Sequence, residues 1–528
     1  MGRRMDEKID NPRETAYARG QMSIDLFGPG MTPLHKAGLA GLWMTLEALE
    51  KDGSKASLAN GSWRRDATCV TLSWSGNPKT FFDALFRESF KIDSNGLIWF
   101  PALGEPMDNP HHAVVLQEAI LGSFLQHGRT RESDRSADPQ GNISVDGDEA
   151  CVPLLFHRIR KYVHQKHDFD AIRTNPLAGW HFPGGAVRHV GLGQSSTALE
   201  ESPGGALVLR YAPVGTIYFE IRHKGGGVRP KYAIVIPEIT DLGRYAAARR
   251  CFLKYGVQQL YVSGAGEAGL RVLAELKATD LLRDIRSAFC RVISFGTVPW
   301  SPQQKTRVDL VTVRGRSEAS LQTFRLCQHV FEKRLVRPKS GDPYWDVPQV
   351  PDLVARNMSE GRYWWQDFAA FVGDVGRGRH VFHYEKGGLA KMIESRDALP
   401  GGPERAFVVA CHDAWRRRMG RLSGKAKREG SSFVDAVDRE FERLRVSFSR
   451  CKNAVSLREA ITDFWARAGS PLKPLQDGWR EVIDLLDEKN WRKARDLALL
   501  ALASYKPATQ EEEALDVLKE PELEGGEK

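Results

Sequence analysis

Ala206-Leu207-Val208-Leu209-Arg210-Tyr211-Ala212-Pro213-Val214-Gly215-Thr216-Ile217-Tyr218-Phe219-Glu220-Ile221-Arg222 is the stretch on which the fold class turns. It reads as two β-rich runs, 206–211 and 216–222, parted by the turn Pro213-Val214-Gly215. His223-Lys224-Gly225-Gly226-Gly227-Val228-Arg229-Pro230-Lys231 follows as a glycine-rich basic tip, and 232–236 is a third apolar run. Together these predict an antiparallel meander. Beyond it, helical patterns over 240–253 and 267–277 alternate with strand patterns over 258–262 and 291–296, an α/β unit.

Towards the N-terminus, 24–27 reads as a short strand, and Thr32-Pro33 caps and opens a helix. Gly38 and Gly41 inside that helix predict close approach to another backbone, since glycine otherwise costs helix stability. Strands are expected at 68–74 and 97–100, and helices from Pro78 and His112. Residues 128–150 read as a long surface loop and 152–169 as helical. Past residue 340 the chain reads as helices, with capping boxes opening at Ser432 and Ser456. Seven of the 13 tryptophans lie at or after Trp345, where they are expected to fill core space between helices.

The expected fold class is therefore α+β. A mixed α/β N-terminal region containing an antiparallel meander is followed by a C-terminal helical bundle. The expected organisation is an arm over 1–22, an α/β domain over 23–340, a bundle over 341–510 and an acidic tail over 511–528.

A chain of 528 residues has room for two to four domains, and 41% hydrophobic residues exclude a disordered one. No uncharged apolar run reaches the ~18 residues a membrane helix needs. Met1-Gly2-Arg3-Arg4 has no apolar segment behind it and is not a signal peptide. A cytoplasmic protein without a membrane partner is expected. Seven cysteines with no CxxC spacing fit reduced thiols better than a disulfide or zinc framework.

The net charge of +9 hides a segregation. Residues 511–528 carry −6, and 401–510 carry +7 from 22 basic and 15 acidic residues. A basic body points to a polyanion. Its densest run is Arg416-Arg417-Arg418-Met419-Gly420-Arg421-Leu422-Ser423-Gly424-Lys425-Ala426-Lys427-Arg428, seven cations without an acid. Arg416, Arg417, Arg418, Arg421, Lys425, Lys427 and Arg428 are candidate phosphate contacts. Gly424 is expected to open a flexible basic loop. Lys224, Arg229 and Lys231 on the glycine-rich tip are candidates for reading a DNA groove.

Two patterns suggest other chemistry. Gly264-Ala265-Gly266-Glu267-Ala268-Gly269 follows an apolar run and opens a helix, as a dinucleotide fingerprint does. Glu267 inside the loop would repel phosphate, and the next strand lacks the expected ribose-binding acid. His164-Gln165-Lys166-His167-Asp168, with His157 upstream, resembles part of an HD-type phosphohydrolase site, but Lys161 and Lys166 oppose a metal. Walker-A, GxSxG and HExxH sequences are absent. The expectation is no cofactor, no metal and no catalytic residue, with a nucleotide-cofactor enzyme using Gly264–Gly269 as the alternative.

Three segments carry a family resemblance. They are Ile24-Asp25-Leu26-Phe27-Gly28-Pro29-Gly30-Met31-Thr32-Pro33-Leu34-His35-Lys36-Ala37-Gly38, Gly179-Trp180-His181-Phe182-Pro183-Gly184-Gly185-Ala186-Val187-Arg188-His189, and Tyr211-Ala212-Pro213-Val214-Gly215. The chain resembles the Cas-eight-like large subunits of Myxan-subtype type I CRISPR systems, the Csx/Cmx-type group that includes the developmental protein DevT. His181 departs from the apolar residue expected there. The resemblance implies a non-catalytic subunit of a crRNA-guided surveillance complex (Cascade). It implies crRNA and target DNA as ligands, Cas-five-, Cas-seven- and Cas-six-like partner subunits, and a recruited Cas-three-like helicase-nuclease. In such complexes the large subunit reads the adjacent motif and stabilises the R-loop, while base pairing reads sequence. It also implies a bundle similar to a Cascade small subunit. A developmental regulator of fruiting-body formation and sporulation, acting through protein partners, is the other reading this family allows.

Overall fold

The computed structural model describes residues 20–52, 58, 60–125, 140–147, 150–162, 169–177, 181–183, 199–222, 231–280, 282, 288–296, 307–337, 343–469 and 472–506. They form two compact units, one of Met1–Ser317 with Lys333–Val347, the other of Glu318–Glu332 with Pro348–Lys528. The chain thus passes between units three times rather than once near residue 340. The class is α+β, with the large sheet in the first unit and helices making up the second.

The first unit begins with β1 (Gly20–Asp25), α1 (Pro33–Lys51), β2 (Gly61–Arg65) and β3 (Cys69–Trp74), whose strands form an antiparallel sheet in the order β1-β3-β2. Then come α2 (Pro78–Ser89), β4 (Lys91–Ile92), β5 (Ile98–Trp99), α3 (Pro110–Gly122), β6 (Gln140–Gly147), β7 (Ala150–His157), β8 (Asn175–Pro176) and β9 (Glu200–Glu201). The second half holds α4 (Pro203–Gly215), β10 (Ile217–Ile221), β11 (Lys231–Pro237), α5 (Leu242–Cys251), α6 (Val257–Leu260), β12 (Tyr261–Val262), α7 (Ala265–Ala278), β13 (Phe289–Gly296) and β14 (Arg307–Arg314). A small hairpin, β15 (Arg334–Val336) and β16 (Tyr344–Asp346), completes it.

The central sheet runs β12-β10-β11-β13-β14, antiparallel throughout except that β12 lies parallel to β10. The meander therefore starts one element later than the sequence reading places it. Residues 206–211 are not a strand but the middle of α4. Every residue from Ala206 to Gly215 is buried, so no polar face betrays a 3.6-residue period. The helix packs on α1 through glycines. A methyl at Gly38 would stand 1.9 Å from the Val208 carbonyl oxygen, and one at Gly41 2.2 Å from that of Tyr211. The close approach expected of those two glycines is thus met by α4. Buried Arg210, on the same helix, lays its guanidinium 4.7 Å from the Phe86 ring centre and 5.1 Å from that of Phe169.

Other readings shift as well. Residues 140–147 are a strand rather than loop, paired with a β7 that replaces the helix expected from 152. Residues 258–262 split into the short α6 and the two-residue β12. His181, the departure from the family pattern, is 1% exposed and so sits where an apolar residue would.

The second unit contains α8 (Glu318–Val330), α9 (Val350–Glu360), α10 (Phe368–Phe371), α11 (Val375–Tyr384), α12 (Lys386–Glu394), α13 (Pro403–Glu429), α14 (Phe433–Arg450), α15 (Ala454–Ala468), α16 (Lys473–Ile483) and α17 (Trp491–Ser504). Helix α17 is buried continuously from Leu497 to Ser504, and α10 to α15 pack around it. Helix α14 begins at the expected cap, with Ser432 Oγ accepting the Asp435 amide. Helix α15 begins three residues before the expected one. Asn453 is its cap, and Ser456 sits at the third helical position, bonding back to the Asn453 amide. Trp364, Trp365, Trp415 and Trp491 fill core as expected, whereas Trp479 is 48% exposed.

Candidate nucleic-acid interface

Helix α13 carries the basic run and spans 27 residues without a break. Gly424 does not open a loop. The helix continues through Glu429 and ends at Gly430, whose φ of 65° makes the left-handed cap glycine supplies readily. The run contains no acid, yet the fold brings acids to it. Arg416 Nη2 and Arg417 Nε each lie 3.1 Å from an Asp413 carboxylate oxygen one turn earlier. Arg418 Nε donates to Glu440 Oε1 on α14 at 2.8 Å, and Arg443 donates to both oxygens of that carboxylate. Burial would raise the Glu440 pKa, but the hydrogen bonds from Arg443 and Arg418 outweigh it and bring it down to about 2. Arg421 Nη1 donates to the Arg467 carbonyl at 3.2 Å, placing a cation at the C-terminal end of α15. A methyl on Gly469, which follows that helix, would collide with the Arg421 guanidinium.

The cluster thus separates into framework and outward groups. Arg417, Arg418 and Arg421 are committed to helix contacts. Arg416, Lys425, Lys427 and Arg428 are exposed. Lys425 pairs with Glu429, 3.7 Å away and itself exposed, and such i,i+4 surface pairs are weak. At ~100° per residue, Arg416 and Lys427 project within about 20° of each other, with Gly420, Gly424 and then Arg428 fanning round over the next ~100°. A methyl on either glycine would meet nothing within 4 Å. Two glycines inside a helix, each costing ~1 kcal/mol relative to alanine, serve no packing need among the described residues. They leave bare backbone between exposed cations.

The other predicted cluster divides differently. Lys224 and Arg229 lie outside the described residues. Lys231 opens β11, half-buried and paired antiparallel with Ile221 of β10.

The glycine-rich fingerprint has an internal occupant. Glu267 is 1% exposed, and its Oε2 accepts the amide and hydroxyl of Ser263, both at 2.8 Å. Its Oε1 accepts Arg271 Nη2 at 2.7 Å, with Lys333 Nζ 3.9 Å away. Burial alone would raise its pKa, and Lys333, Arg271 and the Ser263 amide reverse this and lower it. A carboxylate therefore takes the position at the start of α7 where a dinucleotide would put its pyrophosphate. Gly269 serves packing, since a methyl there would stand 2.6 Å from Val313 Cγ2. The cofactor reading of Gly264–Gly269 is corrected on these grounds.

His164, His167 and Asp168 lie outside the described residues. His157 sits on β7 with Nδ1 2.9 Å from Glu118 Oε2. Among the described residues no group of three His, Cys, Asp or Glu side chains could hold a metal, and no helix is long and apolar enough to cross a membrane.

Residues 23–210 match the DevT N-terminal domain family and residues 401–527 the DevT C-terminal domain family, together more than half of the chain. The chain belongs to the DevT family. A relative in Myxococcus xanthus (strain DK1622), named CRISPR-associated protein Cas8a1/Csx13, is 29% identical over 94% of this chain and 90% of its own length. The DevT-family chain is thus a Cas8-like CRISPR-associated protein. The N-terminal match contains the quoted stretches 24–38 and 179–189, and the C-terminal match contains α13 and its basic face. Sequence reasoning missed the cleft beside β1 and α4, because its residues, among them His35 and Glu201, are far apart in the chain. Its local signal is that Gly28, Pro29, Gly30, Met31 and His35 of its lining lie inside the family stretch 24–38.

Proposed function

We propose that this DevT-family chain is the non-catalytic large subunit of a type I CRISPR surveillance complex. It binds target DNA, reads the adjacent motif and holds the opened strands of the R-loop in antiviral defence. It works beside crRNA and Cas-five-, Cas-seven- and Cas-six-like subunits, and a recruited Cas-three-like helicase-nuclease cuts. The observation that carries this reading is the outward face of α13. Arg416 and Lys427 on one side and Arg428 on the other flank the bare backbone of Gly420 and Gly424, while Lys425 is exposed on the far side of the helix. Such a face lets a phosphodiester chain come close to the helix with cations on either side, a sequence-independent contact suited to strand holding. Reading of the adjacent motif is proposed for the glycine-rich basic segment between β10 and β11, with Lys224, Arg229 and Lys231.

The test is a salt series. The fourfold variant Arg416→Ala, Lys425→Ala, Lys427→Ala, Arg428→Ala is compared with the unaltered chain for single- and double-stranded DNA. Affinity is expected to fall for all sequences alike, and the log–log salt slope to flatten by about one per lost phosphate contact. Unchanged affinity and slope defeat the assignment. Arg417, Arg418 and Arg421 stay in place, so the bundle is not undermined.

A further inference from the structure

A cleft of about 380 Å³ opens in the first unit where α3 starts, beside the 3₁₀ turns Pro101–Leu103, Pro106–Asp108 and Phe252–Lys254. Ile98, Phe100, Leu103, Leu116 and Leu253 are its apolar walls. Asn109 sets the frame. Its Oδ1 accepts the His112 amide at 3.2 Å as the cap of α3, and its Nδ2 donates to the Leu253 and Tyr255 carbonyls, both at 2.9 Å. One side chain thus ties two walls of the cleft together. His112 is the buried polar group on the lining, 9% exposed. Its ring makes no hydrogen bond among the described residues, and, unlike His35, His111 and His181, it has no ring nitrogen sealed from solvent. Burial first, and the charge of Arg249 second, lower its pKa to about 3. The imidazole is therefore neutral, with one donor and one acceptor.

Ligand classes can be separated by charge and by hydrogen bonding. Glu105 and Asp108 are exposed on the rim against one lysine, Lys254, so the opening is net negative in a chain of +9. That rim repels phosphate and attracts a basic protein segment. A hydroxyl both donates and accepts, so it satisfies a neutral imidazole in either tautomer. Apolar walls around a single polar group suit an aromatic ring with a polar end. We infer that this cleft is a docking site for a partner protein, filled by one tyrosine side chain flanked by lysine or arginine. The ring lies against Phe100 and Leu116, the hydroxyl pairs with His112, and the flanking cations face Glu105 and Asp108. The inference does not rest on the strand-binding reading and uses no residue of α13.

The probes are three end-capped tripeptides, Lys-Tyr-Lys, Lys-Phe-Lys and Glu-Tyr-Glu, titrated against the full chain by ligand-observed NMR. Lys-Tyr-Lys is expected to bind roughly threefold to tenfold tighter than Lys-Phe-Lys, the worth of one hydrogen bond. Glu-Tyr-Glu should bind weakest. His112→Leu should bring Lys-Tyr-Lys down to the level of Lys-Phe-Lys, whose own affinity should stay, which shows the cleft still formed. The exposed double variant Glu105→Lys, Asp108→Lys should reverse the preference between the Lys- and Glu-flanked tyrosines, and it covers the case of a His112 variant that misfolds. No binding of Lys-Tyr-Lys overturns the inference. So does equal binding of the tyrosine and phenylalanine peptides, or a charge preference that the double variant leaves in place. If His112→Leu instead weakens the binding of single-stranded DNA, the cleft belongs to nucleic acid and the inference falls. None of these outcomes touches the salt slope of the α13 variant, so the two readings fail separately.

Discussion

Glu440 accepts hydrogen bonds from Arg418 on α13 and Arg443 on its own helix, and it stays ionised down to about pH 2. Its pKa in the fold lies below the ordinary 4.5, so the stabilisation it provides is complete above pH 4.5 and lost as pH falls from there towards 2. Glu440→Gln should therefore lower the melting temperature at neutral pH and remove part of the loss seen between pH 4.5 and 2. Melting curves across that window check it, and an unaltered pH profile contradicts it. The same contact explains what the sequence could not show. Arg416 and Arg418 are indistinguishable in the basic run, and only the fold brings a carboxylate 22 positions further on to one of them. Glu267 was legible as an obstacle to phosphate. Its full role, filling the helix start with Ser263, Arg271 and Lys333, depends on a lysine 66 residues away.

Helix α13 offers a test in which stability and function move in opposite directions. Gly420→Ala with Gly424→Ala should stabilise an exposed helix interior by ~1 kcal/mol per site. If a phosphodiester chain lies on that face, the same change should weaken strand binding several-fold by holding it off the backbone. Thermal melting and anisotropy on one double variant measure both. A gain in stability with unchanged binding rejects close approach. Elements with a polar face, such as α2 and α14, could be placed from sequence because their periodicity is visible. Helix α4 could not. It is buried on all sides, contains β-branched Val208 and Val214 and an internal Pro213, and so carries the local marks of a strand and a turn. The glycines of α1 announced a close neighbour without identifying it, since the partner lies some 170 residues on.

The two units share the chain unequally. Helix α8 belongs to the second unit, while β15 and β16, which follow it, return to the first. Helix α8 buries Leu321, Phe324 and Cys327, with Phe331 just beyond its end, and it packs on α9 and α12. A methyl on Gly388 of α12 would strike the Phe331 ring, so that seat is shaped for it. A fragment of residues 348–506 should consequently melt lower than one of residues 318–506 and bind a dye for exposed apolar surface, since each lost side chain is worth ~1.5–3 kcal/mol. Equal melting points contradict this. Charge arithmetic gave residues 401–510 their basic excess but could not see that one wall of the second unit precedes a strand pair of the other unit. That wall bears on gene expression. A ribosome starting at Met358, Met392 or Met419 would make a bundle without α8 and without an intact α9, since Met358 is already the ninth of that helix's eleven residues. A short second product of this reading frame would leave the ribosome with its apolar flank uncovered, in need of a chaperone or a borrowed helix.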